Sequence, residues 1–308
     1  MRVLVYGAGG LGLYFAARLA QAGCQVILKG RPEAVSRGRE EPLRVVKDAR
    51  VDEVRGIEIV DSLGGVGAEA AIITTKAWQV EHAARDISTV LQPGAPVLTV
   101  QNGIDAPTRA ALHLRPQDVF AATVVVIASK SGVLDVSVLG EEAALTLGSP
   151  VGADECTAAG LVEALTDAGM AVTWTDHIDE ALWKKLALIC SYGGIGAVLD
   201  ATVGQTRGAE RTRHLVLAAM DEVFAVARAE GVILTGQDKN DIASVYLTGF
   251  APDTTSSMHR DLLAGRPSEL EDQLGAVVTR AERHGVPVPI LHLVYAVMSP
   301  REARARDA

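Results

Sequence analysis

The first twenty-two residues constrain this chain more than any other stretch. Val3, Leu4, Val5 and Tyr6 make an apolar run suited to a strand covered on both faces. Gly7, Gly9 and Gly12 then fall in G-x-G-x-x-G spacing, and residues 13–22 open a helix. Strand, glycine turn and helix in that order form the start of a parallel α/β unit, with the helix's first amides free to face a pyrophosphate. The three glycines serve different ends, namely the turn, close approach of backbone to phosphate, and close packing of helix on strand. Gly7, Ala8, Gly9, Gly10, Leu11 and Gly12 are therefore candidate dinucleotide-binding residues. A second strand over residues 25–29 ends in Lys29, Gly30 and Arg31. About twenty residues past such a turn, an NAD site places a carboxylate for the ribose hydroxyls. Here two cations stand instead, and a guanidinium binds a 2'-phosphate through paired, charge-assisted bonds, so the expected cofactor is NADPH/NADP. The plainer alternative is a glycine turn that binds nothing, with Arg31 merely solvated; the basic second strand weighs against it.

Composition narrows the partners. The 308 residues carry a net charge of −9 with no block of like charge, which argues against nucleic acid and anionic membrane as partners. Hydrophobic residues make up 48% and aromatics only 4%, as in a sheet protein packed by aliphatic side chains. Cys24, Cys156 and Cys190 show no paired spacing and read as buried thiols in a reducing compartment. The histidines form no H-x-x-x-H or acid-rich cluster, so no metal site is expected. Residues 3–22 imitate a signal peptide, but the glycines and Arg18 interrupt them, and no other stretch comes near the roughly eighteen apolar residues of a membrane span. The expected location is the cytoplasm.

Strand-like and helix-like segments alternate through the first half, the pattern of a parallel sheet wrapped by helices. After residues 2–6 and 25–29, strands are expected over 56–60, 70–75, 96–100 and 120–126. Residues 133–138 and 143–147 look like an antiparallel extension, 158–168 like a helix, and 171–174 like a last strand. From Asp179 the strands stop, and helices are expected over 179–190, 209–231, 237–247, 269–285 and 290–298. The boundary falls near residues 175–179, giving a dinucleotide-binding domain over 1–176 and a helical substrate domain over 177–308. The final eight residues, REARARDA, are polar and expected to fray. An apolar stripe on a C-terminal helix would serve either a core or a homodimer interface.

In an open parallel sheet, ligands gather beyond the carboxyl ends of the strands. Residues 70–75 run into Lys76, whose charge opposes the dipole of the helix it starts, which favours a ligand contact over a plain surface lysine. Residues 96–100 run into Gln101, Asn102 and Gly103, read equally as a ligand contact and as a turn needing positive φ.

Two groups in the second half suit proton transfer. Lys184 has Glu180 one helical turn away and can pair with it, whereas Lys185 has Ala181, Leu182, Leu188 and Ile189. A lysine among aliphatic neighbours loses hydration, and its pKa falls toward neutrality unless its amine snorkels out to water. In Arg266-Pro267-Ser268-Glu269-Leu270-Glu271, Ser268 and Glu271 have capping-box spacing, leaving Glu269 unassigned at a helix start that stabilises its ionised form. Residues 253–258 read first as a helix cap, and more sharply as hydroxyl donors for a carboxylate substrate.

Together these segments resemble the ketopantoate reductase (2-dehydropantoate 2-reductase) family from Met1 to about Met298. The resemblance is carried by GAGGLG, Arg31, TTKAWQV around Lys76, QNG around Asn102, LWKKLA around Lys185, SSM at Ser257 and RPSELE around Glu269. It implies a Rossmann-type, doubly wound parallel sheet (class α/β) followed by an all-helical C-terminal domain like that of 6-phosphogluconate dehydrogenase, with the active site in the cleft between them. It implies Arg31 at the 2'-phosphate of NADPH, and Lys76 and Asn102 in contact with cofactor and substrate. Lys185 would be the general acid, with Glu269 its carboxylate partner at the substrate hydroxyl and Ser257 a substrate donor. The implied reaction is hydride transfer to the carbonyl of a small-molecule 2-oxo acid. At Ile189, Gly193 and Leu274, however, the family pattern has asparagine. Loss of those amides points to a roomier, more apolar pocket and to relaxed or redirected specificity. The rival readings are a reductase of the same fold acting on another oxo acid or imine, and a non-catalytic NADPH sensor.

Overall fold

Val3 and Val5 point to one side of their strand and Leu4 and Tyr6 to the other, and all four are buried, so the sheet is covered on both faces. In the computed structural model, which describes residues 1–48 and 50–307, the chain divides into two compact units. One contains residues 1–101 and 106–178, the other residues 102–105 and 179–308.

The first unit is built on ten strands: β1 (Arg2–Tyr6), β2 (Gln25–Lys29), β3 (Leu43–Lys47), β4 (Arg50–Val54), β5 (Glu58–Val60), β6 (Ala70–Ile73), β7 (Val97–Thr99), β8 (Val119–Lys130), β9 (Asp135–Gly148) and β10 (Ala171–Trp174). They lie in the order β4-β3-β9-β8-β7-β6-β1-β2-β5, with β10 on β9. The run from β5 to β8 is parallel, and β9 returns antiparallel to β8. The chain goes from β1 outward to β2 and later re-enters on β1's other side as β6. The carboxyl ends of β1 and β6 are therefore the topological switch point, the binding crevice of doubly wound sheets.

Helices α1 (Gly10–Gln21), α2 (Pro32–Gly38) and α5 (Glu155–Asp167) share a core with Val3, Val5, Leu28 and Ile72. Helices α3 (Val80–Ile87) and α4 (Ala106–Ala110) cover Leu4, Ile27, Ile73 and Val97 on the other face. Glu142 on β9 pins α1. It accepts from Tyr14 Oη at 2.8 Å, from Arg18 at 2.8 and 3.0 Å, and from Lys47 on β3 at 2.8 Å.

Several expectations need correction here. The hairpin β3–β4 went unread because residues 43–54 are rich in charge and its turn holds Asp48, not glycine, at φ +50°. The two expected pieces after residue 132 are one strand, β9, and a bulge between Val125 and Ile127 on its partner absorbs the irregularity. Of the cysteines, Cys190 is buried, Cys24 is intermediate and Cys156 is exposed.

The second unit is helical: α6 (Ile178–Leu199), α7 (Val203–Gly208), α8 (Glu210–Ala229), α9 (Gly236–Ser244), α10 (Ser257–Leu263), α11 (Ala276–His284) and α12 (Pro289–Asp307). Two π-turns, Val245–Gly249 and Glu271–Gly275, follow α9 and precede α11. Helix α6 runs well past its expected end because Gly193, Gly194 and Gly196 are packing positions and do not break it. By length and composition α6 could cross a membrane, contrary to the expectation that no such stretch exists. In this fold 61% of its apolar window is buried, as in a core helix. The terminal residues through Asp307 are not frayed either, and Ala308 lies outside the described residues. Leu291, Val294, Met298, Glu302 and Ala305 repeat at helical spacing and are all buried, so the core holds α12 through to Asp307.

Candidate active site

At the switch point, the Gly7 N–H donates to Lys29 O at 3.0 Å and its backbone turns at φ +122°. A Cβ on Gly12 would lie 1.7 Å from Gly7 O, so only glycine lets α1 seat against β1. Gly9 precedes α1, and a Cβ there would meet nothing within 4 Å, so protein packing does not demand this glycine. Gly10 lies against β8, where Lys130 Nζ donates to Ala8 O at 3.0 Å; Ala8 and Leu11 pack on the core.

Residues beyond the expected set buttress this turn. Thr74 Oγ1 donates to Gly7 O at 2.9 Å, and Gln101 Nε2 donates to Ile73 O at 2.7 Å and Thr75 O at 3.0 Å, joining the ends of β6 and β7. Thr75 Oγ1 is buried and makes no hydrogen bond among the described residues. Such an atom carries a desolvation cost unless a ligand meets it. The signal that could have found Thr74 and Thr75 is their position, at the carboxyl end of the strand beside β1, while Gln101 holds the corresponding place after β7, one strand further out. Lys76 follows, half-buried, before a 3-10 turn over Ala77–Gln79.

The two cations at the end of β2 differ. Lys29 pairs in register with Tyr6, and its ammonium lies 5.5 Å from that ring's centroid and 3.3 Å from Gly30 O. Arg31 is exposed at the start of α2 and makes no ion pair among the described residues. Arg31 is thus the cation available to a ligand, while Lys29 is engaged locally.

In the helical unit, Lys185 is half-buried on the face of α6 that carries Ala181, Leu188 and Ile189, each partly exposed, while Leu182 and Leu186 turn into the core. Burial lowers the Lys185 pKa to about 8, and the charge of Glu269 pulls it back up. Lys184 is committed elsewhere: it pairs with Asp238 at 2.5 Å and more distantly with Glu180 at 3.9 Å. Hydrogen bonds from Lys184 and Thr235 hold the Asp238 carboxyl at about 2.

Glu269 is 6% exposed, and its carbonyl accepts from the Gln273 N–H at 2.9 Å, so it is the entry residue just ahead of the first helical position, Leu270. The side-chain Nε2 of Gln273 lies 3.5 Å from Glu269 Oε2. The capping box expected of Ser268 and Glu271 is absent. Ser268 donates through both N–H and Oγ to Glu302, at 3.0 and 2.6 Å, and Glu271 accepts from Tyr295 Oη at 2.6 Å. A buried carboxylate on α12 outcompetes the local cap, and the turn widens to π geometry beside Glu269. Ser256 is the cap of α10, accepting from the His259 N–H at 3.0 Å, and Ser257 beside it is half-buried.

The roomier pocket expected at the missing asparagines is also corrected. A Cβ on Gly193 would meet Ser256 Oγ at 2.8 Å, and one on Gly194 would meet Val294 and Leu274, which is itself fully buried. The space is filled by closer packing; of the three positions only Ile189 retains exposure.

Asn102, expected at the cofactor and substrate, belongs with residues 103–105 to the helical unit, the unit of Lys185, Ser257 and Glu269. Gly103 does turn at positive φ, +127°.

A glycine turn at the switch point of a doubly wound parallel sheet, followed by an all-helical unit, defines the class of two-unit α/β proteins with a Rossmann-type first part and a helical second part. The family described as ketopantoate reductase PanE/ApbA matches residues 3–152, and its C-terminal counterpart matches residues 177–302. The chain belongs to the ketopantoate reductase family. It is 30% identical over 295 residues to the 2-dehydropantoate 2-reductase of Halobacterium salinarum, covering 94% of this chain and 95% of that one. A PanE/ApbA family ketopantoate reductase from Ralstonia eutropha JMP134 superposes with a TM-score of 0.88 at 30% identity, over 99% of this chain and 100% of that one. A D-mandelate dehydrogenase solved with NADH and anilino(oxo)acetate has the same fold, with a TM-score of 0.91 at 21% identity over 99% of each chain.

Proposed function

We propose that the protein is an NADPH-dependent reductase of a 2-oxo acid, with ketopantoate the first substrate to test. The observation that carries this reading is Lys185, a half-buried ammonium lowered to about 8 beside the charge of Glu269. A donor of that pKa holds its proton at neutral pH yet gives it up readily to a developing alkoxide. Arg31 would take the 2'-phosphate, the Gly7–Gly12 turn and the start of α1 the pyrophosphate, and Thr75 and Lys76 the rest of the dinucleotide at the switch point. The bound nicotinamide supplies the hydride. Lys185 protonates the oxygen as negative charge appears there, and Glu269 keeps Lys185 charged beforehand. Asn102 and Ser257 orient the substrate through their amide and hydroxyl.

A second reading is favoured by Ala181, Leu188 and Ile189, whose partly exposed apolar side chains share the face of Lys185. A 2-oxo acid with an apolar substituent, such as an aryl or branched alkyl group, suits them better than a hydroxylated one. The test is the decay of NADPH or NADH absorbance with ketopantoate, benzoylformate and branched 2-oxo acids. Turnover of none of them, with NADPH bound, would leave a cofactor sensor and overturn the reductase reading.

A further inference from the structure

Residues 102–105 leave the sheet at the end of β7, yet they are built into the helical unit by three contacts of different kinds. Ile104 packs against the helical core. Gly103 lies so close to the π-turn that a Cβ on it would stand 2.8 Å from Asp272 O, three residues past Glu269. Asp105 pairs with Arg280 on α11, Oδ1 to Nη2, at 2.5 Å. Arg280 is itself clamped, since its Nε donates to Glu230 at 2.9 Å and its Nη1 to Ala276 O at 3.2 Å. Glu230 is in turn held by His284 and lies 3.7 Å from Arg283. Every nitrogen of the guanidinium thus has an acceptor, which gives it one orientation and fixes Asp105 with it.

We propose that Arg280 is a positioning residue: through Asp105 it fixes the loop that starts at Asn102 in one geometry relative to Lys185 and Glu269. This rests on the reading of Asn102 as a substrate contact. Catalytic constellations lose rate steeply when a contacting group is displaced by about an ångström, so a side chain that touches no ligand can control turnover. The loop itself is short, and residues 102–105 are each only partly buried.

The test is a double-mutant cycle on the full chain, read as kcat/KM with ketopantoate or the fastest substrate of the oxo-acid panel. Arg280→Met is expected to lower kcat/KM by about tenfold or more, yet by less than about twofold when added to Asn102→Ala, because the residue it positions is then already gone. Asp105→Ala, which leaves the Arg280–Glu230 pair in place, is expected to reproduce the loss and serves if Arg280→Met does not fold. Hydrogen exchange at residues 103–105 is expected to quicken in both variants. A merely structural arginine would lower the melting temperature and give losses that add to those of Asn102→Ala; additivity, or unchanged kinetics in both variants, overturns the proposal. If Asn102→Ala alone has wild-type kinetics, the reading of Asn102 fails and the proposal falls with it, an outcome distinct from additivity.

Discussion

Glu302, near the end of the last helix, accepts the Ser268 hydroxyl at 2.6 Å and the Ser268 N–H at 3.0 Å, immediately before Glu269. Glu302 is 2% exposed, and Arg306 closes the network, pairing with Glu302 at 2.7 Å and donating to Ser268 O at 3.2 Å. Glu302→Ala strands two buried donors and is expected to destabilise the helical unit by about 2–3 kcal/mol. Truncation after Arg301 is expected to do the same and to lower turnover, since the segment carrying Glu269 loses its anchor. Calorimetry of the two variants checks this; a wild-type melt for either would show the network to be idle.

The role proposed for Lys185 carries a pH dependence with a definite sign. As the acid in the reducing direction it must be protonated, so kcat is expected to fall as pH rises through about 8, roughly tenfold per unit beyond it. Lys185→Ala is expected to lower kcat by about a hundredfold or more, to abolish that limb and to leave NADPH binding nearly intact. In stability the same group acts oppositely to a paired lysine. Its folded pKa lies below the ordinary value of 10.5, so between about 8 and 10.5 the unfolded chain binds more protons and this group's contribution to stability rises with pH. A pH–rate profile with no limb near 8 would remove Lys185 from the mechanism.

Cofactor choice should turn on Arg31. Its guanidinium is exposed at the end of β2 and makes no ion pair among the described residues, whereas Lys29 is engaged with Tyr6 and Gly30 O. Arg31→Asp is expected to raise the NADPH Kd by at least about tenfold while changing the NADH Kd far less, because only the former carries the repelled phosphate. Fluorescence titration with both cofactors decides it. Equal losses would place the 2'-phosphate elsewhere.

What the sequence made legible was whatever depends on local pattern. The strand, glycine turn and helix at the amino end and the basic end of β2 follow from spacing alone, and Lys185's lowered pKa from its helical neighbours. Contacts distant in sequence were not legible. The Ser268–Glu271 spacing matches a capping box, yet a carboxylate on another helix wins the serine. The polar tail reads as frayed because Glu302 looks like a solvated residue until its partner is seen. Gly193 reads as an opening because a missing side chain looks like space until Ser256 is found in it. Residues 102–105 show no composition shift that would assign them to the helical unit, since the Asp105–Arg280 pair joins residues far apart in the chain.

The filled space at Gly193 separates two ways of restoring the family's asparagines. Gly193→Asn places a Cβ 2.8 Å from Ser256 Oγ and 2.9 Å from its Cβ, and Ser256 cannot retreat without releasing the cap of α10. Overpacking there is expected to cost about 1–3 kcal/mol, well above the few tenths gained by replacing a helical glycine. Ile189→Asn lies one turn beyond Lys185 at a partly exposed position and is expected to fold with a smaller loss. Its effect should appear in selectivity: kcat/KM for ketopantoate rising relative to branched or aryl 2-oxo acids, by about tenfold if the amide reaches the substrate hydroxyl. Melting curves and a two-substrate competition measure both. A Gly193→Asn protein that melts like wild type and gains ketopantoate turnover would mean that Ser256 yields and that the pocket extends to residue 193 after all.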